Sequence, residues 1–120
     1  MVLLFRRRLA ERVTVCQGDL LEPLPRELDL VCANLPYVAE DAELPAEVLA
    51  QPAHALFAPE GGAALVRRLL REAPARLAPQ GAVLAEIGPE IQEALDLTGY
   101  AGHRFHRDLA GLVRVVEAWV

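Results

Sequence analysis

Asn34-Leu35-Pro36-Tyr37 is the stretch of the 120-residue chain whose residue types and order could do chemistry. Asn34 offers a side-chain carbonyl. Leu35 offers a backbone carbonyl, held extended because a proline follows it. Pro36 fixes its own φ and removes a donor, which leaves an acceptor-rich rim. Tyr37 presents a flat face on which a planar group can stack. Two acceptors beside a stacking face suit a planar NH2 group, such as a glutamine amide or an adenine amine. Such nitrogens are poor nucleophiles because their lone pair is delocalised. Acceptors that orient both N–H bonds aim that lone pair at an electrophile by positioning and electrostatics. A plain turn is the competing reading of the same four residues.

These residues need a rigid support, and the apolar run Leu28-Asp29-Leu30-Val31-Cys32-Ala33 supplies it. The run reads as a strand of a parallel sheet buried on both faces. Ligands of open α/β sheets sit at the carboxyl ends of such strands. The rest of the chain alternates between helix and strand patterns. Leu3 to Arg12 reads as a helix, and Val13 to Gln17 as a short strand ended by Gly18-Asp19. Glu22-Pro23-Leu24-Pro25 is a rigid loop. Val38 to Pro59 is a long, acidic, proline-punctuated loop with one helical turn around Ala46 to Ala50, of the kind that serves a site. Ala63 to Leu77 has Leu65, Leu69, Leu70, Ala73 and Leu77 on one side of a helix, kinked late by Pro74. Gly81 turns into a strand from Ala82 to Ile87. Pro89 starts a second helix that Gly99 ends. His103 to Arg107 and Val113 to Trp119 read as strands, joined in a hairpin around Asp108 to Gly111. No repeat or linker marks a second domain.

Composition narrows the function class. The chain is 53% hydrophobic but only 5% aromatic, so its core must rest on Leu, Val and Ala. All 12 basic residues are arginine, which reads as coding bias rather than as a functional trait. A net charge of −5 argues against a general phosphate-binding surface and against direct nucleic-acid binding. Cys16 and Cys32 form no C-x-x-C pair and read as buried, reduced core thiols of a cytoplasmic protein. No stretch is long enough to span a membrane. Val2-Leu3-Leu4-Phe5 precedes Arg6-Arg7-Arg8, the reverse of a signal peptide. His54, His103 and His106 lack metal-ligand spacing and read as surface residues, so no metal site is expected. Arg67, Arg68 and Arg71 read as a solvated helix face. Glu60-Gly61-Gly62 reads equally as an anion-binding turn or a helix-start loop.

The chain resembles the HemK/PrmC branch of S-adenosylmethionine-dependent amino-methyltransferases, the N5-glutamine methyltransferases of peptide-chain release factors. Five blocks carry the resemblance in order: Gly18-Asp19-Leu20-Leu21-Glu22-Pro23, Asn34-Leu35-Pro36-Tyr37-Val38, Ala55-Leu56-Phe57 with Gly61-Gly62, Leu84-Ala85-Glu86-Ile87-Gly88, and Arg107-Asp108-Leu109-Ala110-Gly111. It implies a partial Rossmann-like class I methyltransferase sheet of α/β class. In the family the strand order is 3-2-1-4-5-7-6 with strand 7 antiparallel, and this chain would supply strands 3 to 7. It implies Asn34, Leu35, Pro36 and Tyr37 as the catalytic residues. Asp19, Leu20 and Asn34 would be the residues touching S-adenosylmethionine, with a turn-forming Asp as the alternative role of Asp19. Glu86 would face the pocket or serve as a structural carboxylate.

The departures from the family matter as much. No glycine precedes Gly18, so the family's glycine-rich cofactor turn is missing, as is the acidic residue after its second strand. Leu35 stands where the family has proline, and Gln51-Pro52 where it tends to have Glu-Pro. The 120 residues are thus expected to be a single truncated catalytic domain, the C-terminal half of an enzyme, lacking the first two strands. The expected partners are a release factor and either a complementing N-terminal half or a second copy in a homodimer. Two other readings stand beside this one: a non-catalytic, self-associating remnant, and a fragment of a nucleic-acid adenine-N6 methyltransferase.

Overall fold

Alternation of apolar residues decides how the strands sit. The computed structural model describes residues 11–35 and 63–120. In chain order the elements are strand β1 (Leu28–Ala33), helix α1 (Ala63–Glu72), a 3-10 turn (Ala73–Ala75), strand β2 (Leu77–Glu86), a 3-10 segment (Pro89–Ala94), and strands β3 (Gly102–Arg107) and β4 (Val113–Trp119). They form one four-stranded mixed sheet in the order β1-β2-β4-β3. β1 runs parallel to β2, while the last strand, β4, inserts antiparallel between β2 and β3.

One face of the sheet carries the core. Val83 and Ala85 of β2 are fully buried, as are Val116 and Ala118 of β4. Val83, Ala85 and Val116 join Val31 of β1 and Val66, Leu69 and Leu70 of α1 in a single apolar cluster. The α1 residues recur every three or four positions, so one stripe of the helix meets the sheet. Phe105 of β3 packs at the margin of the cluster and meets the His103 ring edge-on at 5.5 Å. Tyr100 ties the layers together: its hydroxyl donates to the Leu70 carbonyl at 2.6 Å, satisfying an acceptor that the last turn of α1 leaves without a helical partner. Arg67 Nε donates to the Ala94 carbonyl at 2.9 Å and anchors the 3-10 segment to α1.

Gly81 sits inside β2, buried, rather than at a turn before it. A Cβ there would stand 2.8 Å from the Leu28 carbonyl oxygen and 2.9 Å from that of Ala78, so only glycine lets β1 approach. The strand therefore begins at Leu77, earlier than the expected Ala82. The β3–β4 hairpin is stapled by Asp108. Its carboxylate accepts from the backbone N–H of Ala110 and Leu112 and from Arg114 Nε at 2.8 Å. The Arg114 hydrogen bond, above all, holds the Asp108 carboxyl below the usual carboxylate range. Gly111 completes the turn at φ +83°.

Several expectations are corrected. Val13 to Gln17 forms no strand; Val15 is 79% exposed, and the segment has no apolar face packed on a neighbour to hold it in a sheet. β1 is not buried on both faces: Val31 is buried, but Leu30 is 54% exposed. Among the described residues β1 ends the sheet order, and its core face is the one the apolar cluster covers. Cys16 and Cys32 are exposed free thiols, not core residues, since Cys16 lies in the strandless segment and Cys32 on the opposite face from Val31. The expected helix to Leu77 stops at Glu72, because Pro74 cannot donate and the chain tightens into a 3-10 turn. The expected helix from Pro89 to Gly99 is only the 3-10 segment to Ala94; Gly99, at φ +94°, sits in a turn beyond it. Expectations for Leu3 to Ala10, Pro36, Tyr37, the loop Val38 to Pro59, and Gly61-Gly62 lie outside the described residues.

Burial pushes the Tyr100 phenol up to about 12 from its ordinary 10.0. A raised folded-state value favours the neutral phenol, so its contribution to stability is complete below pH ~10 and is lost as pH rises towards ~12. In a Tyr37→Phe background Tyr100 is the sole tyrosine. Its phenolate absorbance is expected to titrate with a midpoint near 12, alongside declining thermal stability above pH ~10. A midpoint at the ordinary value would contradict this packing.

Candidate functional site

Strand register builds the site. Ala33 pairs with Ala85, so Asn34, one step further, comes beside Glu86 at the carboxyl ends of β1 and β2. Glu86 pairs in turn with Val115 of β4, and Val115 with His106 of β3. Because side chains alternate between faces, this row lies on the face opposite α1. Asn34, Glu86, Val115 and His106, together with Cys32 and Leu84, line a cavity of about 560 Å³. Its lining is mostly apolar, with Asn34, Glu86 and His106 as the polar members. His106 Nε2 lies 2.8 Å from Glu117 Oε2, which fixes the ring beside the cavity.

Asn34 is exposed at this rim and Leu35 is half-buried behind it. The structure thus places the first two residues of the tetrapeptide at the strand end. Asp19 and Leu20 are not brought to the cavity. The Asp19 carboxylate pairs with Arg68 of α1 at 2.8 Å, on the core side of the sheet. Leu20 adopts a left-handed backbone, φ 49°, at the turn that follows. Arg68 also donates to Glu72 at 2.7 Å, and that hydrogen bond, followed by Asp19, raises its already high pKa. Arg67 and Arg68 are therefore engaged rather than forming a merely solvated face.

A second cavity, of about 350 Å³, lies beside these residues, lined by Glu22, Arg68, Arg71, Glu72, Ala75 and Arg76. Three arginines there stand with two glutamates, and Arg68 is paired with Glu72 and with Asp19. Among the described residues, no group of His, Cys, Asp or Glu is arranged to hold a metal, and no helix is long and apolar enough to cross a membrane.

His106 and Val115 were not expected in the site. The available signal was the period of two: once 84 and 86 share a face with 32 and 34, the hairpin strands must present alternate residues to the same face. Which alternate set does so depends on the β2–β4 register, which the hairpin sequence does not encode. The described residues include Asp19, Leu20 and Asn34, the three expected to touch S-adenosylmethionine. Among them only Asn34 belongs both to the cavity and to the expected cofactor set, and none forms a glycine turn for the methionine and ribose moieties.

No family profile matches the chain. Individual relatives do. A ribosomal protein uL3 glutamine methyltransferase of Bradyrhizobium diazoefficiens is 45% identical over 83 residues, 67% of this chain and 26% of that protein. A release factor glutamine methyltransferase of Bordetella pertussis is 38% identical over 117 residues, 91% of this chain and 43% of that protein. Another of that name, from Moorella thermoacetica, is 41% identical over 119 residues, 92% of this chain and 42% of the relative. The chain spans less than half the length of these curated relatives. Among solved structures, a possible exported protein from Bordetella parapertussis aligns over 98% of this chain and 47% of its own, with a TM-score of 0.56 at 18% identity. That likeness bears on the fold alone. Over the part it spans, the chain belongs to the HemK/PrmC family of glutamine methyltransferases.

Proposed function

We propose that the chain carries the acceptor-amide wall of an S-adenosylmethionine-dependent N-methyltransferase that modifies a glutamine side chain in a peptide-chain release factor. One observation carries the reading: Asn34 stands at the carboxyl end of β1, in one cavity with Glu86. The Asn34 side-chain carbonyl accepts one N–H of the substrate amide, and the Leu35 backbone carbonyl accepts the other. The amide nitrogen is thereby held with its lone pair facing outward, away from the strand end. Pro36 and Tyr37, outside the described residues, are assigned to this motif on their residue types alone. Leu35 in place of the family's proline keeps the carbonyl and gives up rigidity.

The sheet supports the same reading. In it β1, β2, β3 and β4 stand for strands 4, 5, 6 and 7 of the family fold, whose order 4-5-7-6 with an antiparallel last strand is that of this sheet. The methyl donor supplies the electrophilic methyl group, and the described residues do not form a holder for it. The acceptor side of the site is therefore assigned to this chain, and the holding of the methyl donor to a complementing half. A uL3 glutamine is a second acceptor worth separate assay, because the uL3-directed relative shares 45% identity. A non-catalytic remnant is the runner-up. Adenine methylation is disfavoured by the net charge of −5.

Two outcomes are expected. Isothermal titration of the chain alone with S-adenosylmethionine should show no binding in the micromolar range; micromolar affinity would contradict the missing cofactor turn. With a complementing half present, Asn34→Ala should lower turnover on a release-factor glutamine by a factor of about 10² or more. The circular dichroism spectrum should be unchanged, because Asn34 is exposed. Full turnover by that variant would remove Asn34 from the role.

A further inference from the structure

Methyl transfer to an amide nitrogen leaves a proton to be removed. In the arrangement proposed above, both N–H bonds of the substrate amide meet neutral oxygens, the Asn34 side-chain carbonyl and the Leu35 backbone carbonyl. Such oxygens orient a hydrogen and do not keep it. A group that can hold the proton has to stand within hydrogen-bond reach of the nitrogen, or one water away. The titratable side chains lining the cavity are those of Cys32, Glu86 and His106.

Strand spacing chooses among them. Ala33 pairs with Ala85 in the parallel ladder, so Asn34 and Glu86 are neighbours on one face, about 4.8 Å apart at Cα. Glu86 pairs with Val115, and Val115 with His106. His106 is therefore three strand spacings from Asn34, roughly 14 Å. Its Nε2 is also engaged by Glu117 at 2.8 Å. Cys32 lies two residues back along β1, about 7 Å from Asn34. A glutamate side chain bridges adjacent strands; a histidine ring does not bridge three. Glu86 is half-buried and ends β2, so the sheet ladder rather than a loop sets its place beside Asn34.

We infer that Glu86 is a further catalytic residue, the acceptor of the proton that the substrate amide gives up. The inference rests on the amide-methylation reading above. The amide nitrogen bonds the methyl carbon as the S–C bond of the sulfonium donor breaks, and the electron pair of that bond stays on sulfur. The electrons of one N–H bond then return to nitrogen and restore amide conjugation, while its proton passes to the Glu86 carboxylate. Water takes the proton when the product leaves. An N-methylated amide cation is strongly acidic, so a carboxylate is base enough.

The chain with its complementing half, assayed on a peptide-chain release factor, tests this. Glu86→Gln keeps the shape and removes the base; it is expected to lower kcat about a hundredfold with KM little changed and far-ultraviolet dichroism native. Glu86→Ala is expected to regain turnover in proportion to added formate, a small carboxylate that can occupy the vacated space, and not with added chloride. Undiminished kcat in Glu86→Gln, under conditions where Asn34→Ala has lost turnover, would overturn this inference alone. A loss seen chiefly in KM, or one that formate does not restore, would also overturn it, by making Glu86 a binding or structural carboxylate. No glutamine methylation by the unaltered pair would overturn the reading beneath it, and this inference with it.

Discussion

The architecture depends on β2 being able to accept two neighbours of opposite direction. On one side it receives β1 in parallel, and on the other β4 antiparallel. Gly81 makes the first pairing possible, because any side chain there would collide with the Leu28 carbonyl. Val83 and Ala85, both fully buried, bind the strand to the α1 layer. Burial of apolar area at about 25 cal/mol per Å² drives this packing. The backbone ladders fix the register within it. Removing β2 would leave a hairpin and a lone strand with no common core.

Register within that sheet is what gives the cavity its chemistry. A slip of one residue between β1 and β2 would send Asn34 to the α1 face and replace Glu86 beside it. As built, the row from Asn34 through Glu86 and Val115 to His106 crosses the sheet at the carboxyl ends of its two parallel strands. The polar rim lies on the face that α1 leaves uncovered, and the core on the face that α1 seals. Asp108 contributes indirectly. By stapling the hairpin it fixes β3 against β4, and so the place of His106.

Much of this was legible in the residues. The strand Leu28 to Ala33, the hairpin strands and the place of Asn34 at a strand end follow from apolar patterning and turn chemistry. What could not be read is tertiary. Val13 to Gln17 has strand-like residues, but a strand exists only where an edge accepts it, and here Val15 remains exposed. Cys32 looked like core because its neighbours are apolar; in the structure it lies on the opposite face from Val31 and is exposed. Leu77 continues the helical period of the preceding stripe, yet Pro74 ends the helix and returns Leu77 to β2. Asp19 has the family's residue type in the family's place, and its partner in the structure is Arg68. Pairing of that kind depends on where a distant helix comes to rest, and local sequence does not record it.

The central claim is that the strand-end acceptors at Asn34 and Leu35 present a glutamine amide for methyl transfer. Mass-spectrometric mapping tests it most directly. The chain, joined with a complementing N-terminal half and S-adenosylmethionine, would be incubated with a peptide-chain release factor and with uL3, and the products fragmented to locate any added methyl group. The account predicts one methyl group on the side-chain nitrogen of a single glutamine. A methyl group on lysine, arginine or a nucleobase, or none from a complex shown to bind the cofactor, would contradict it.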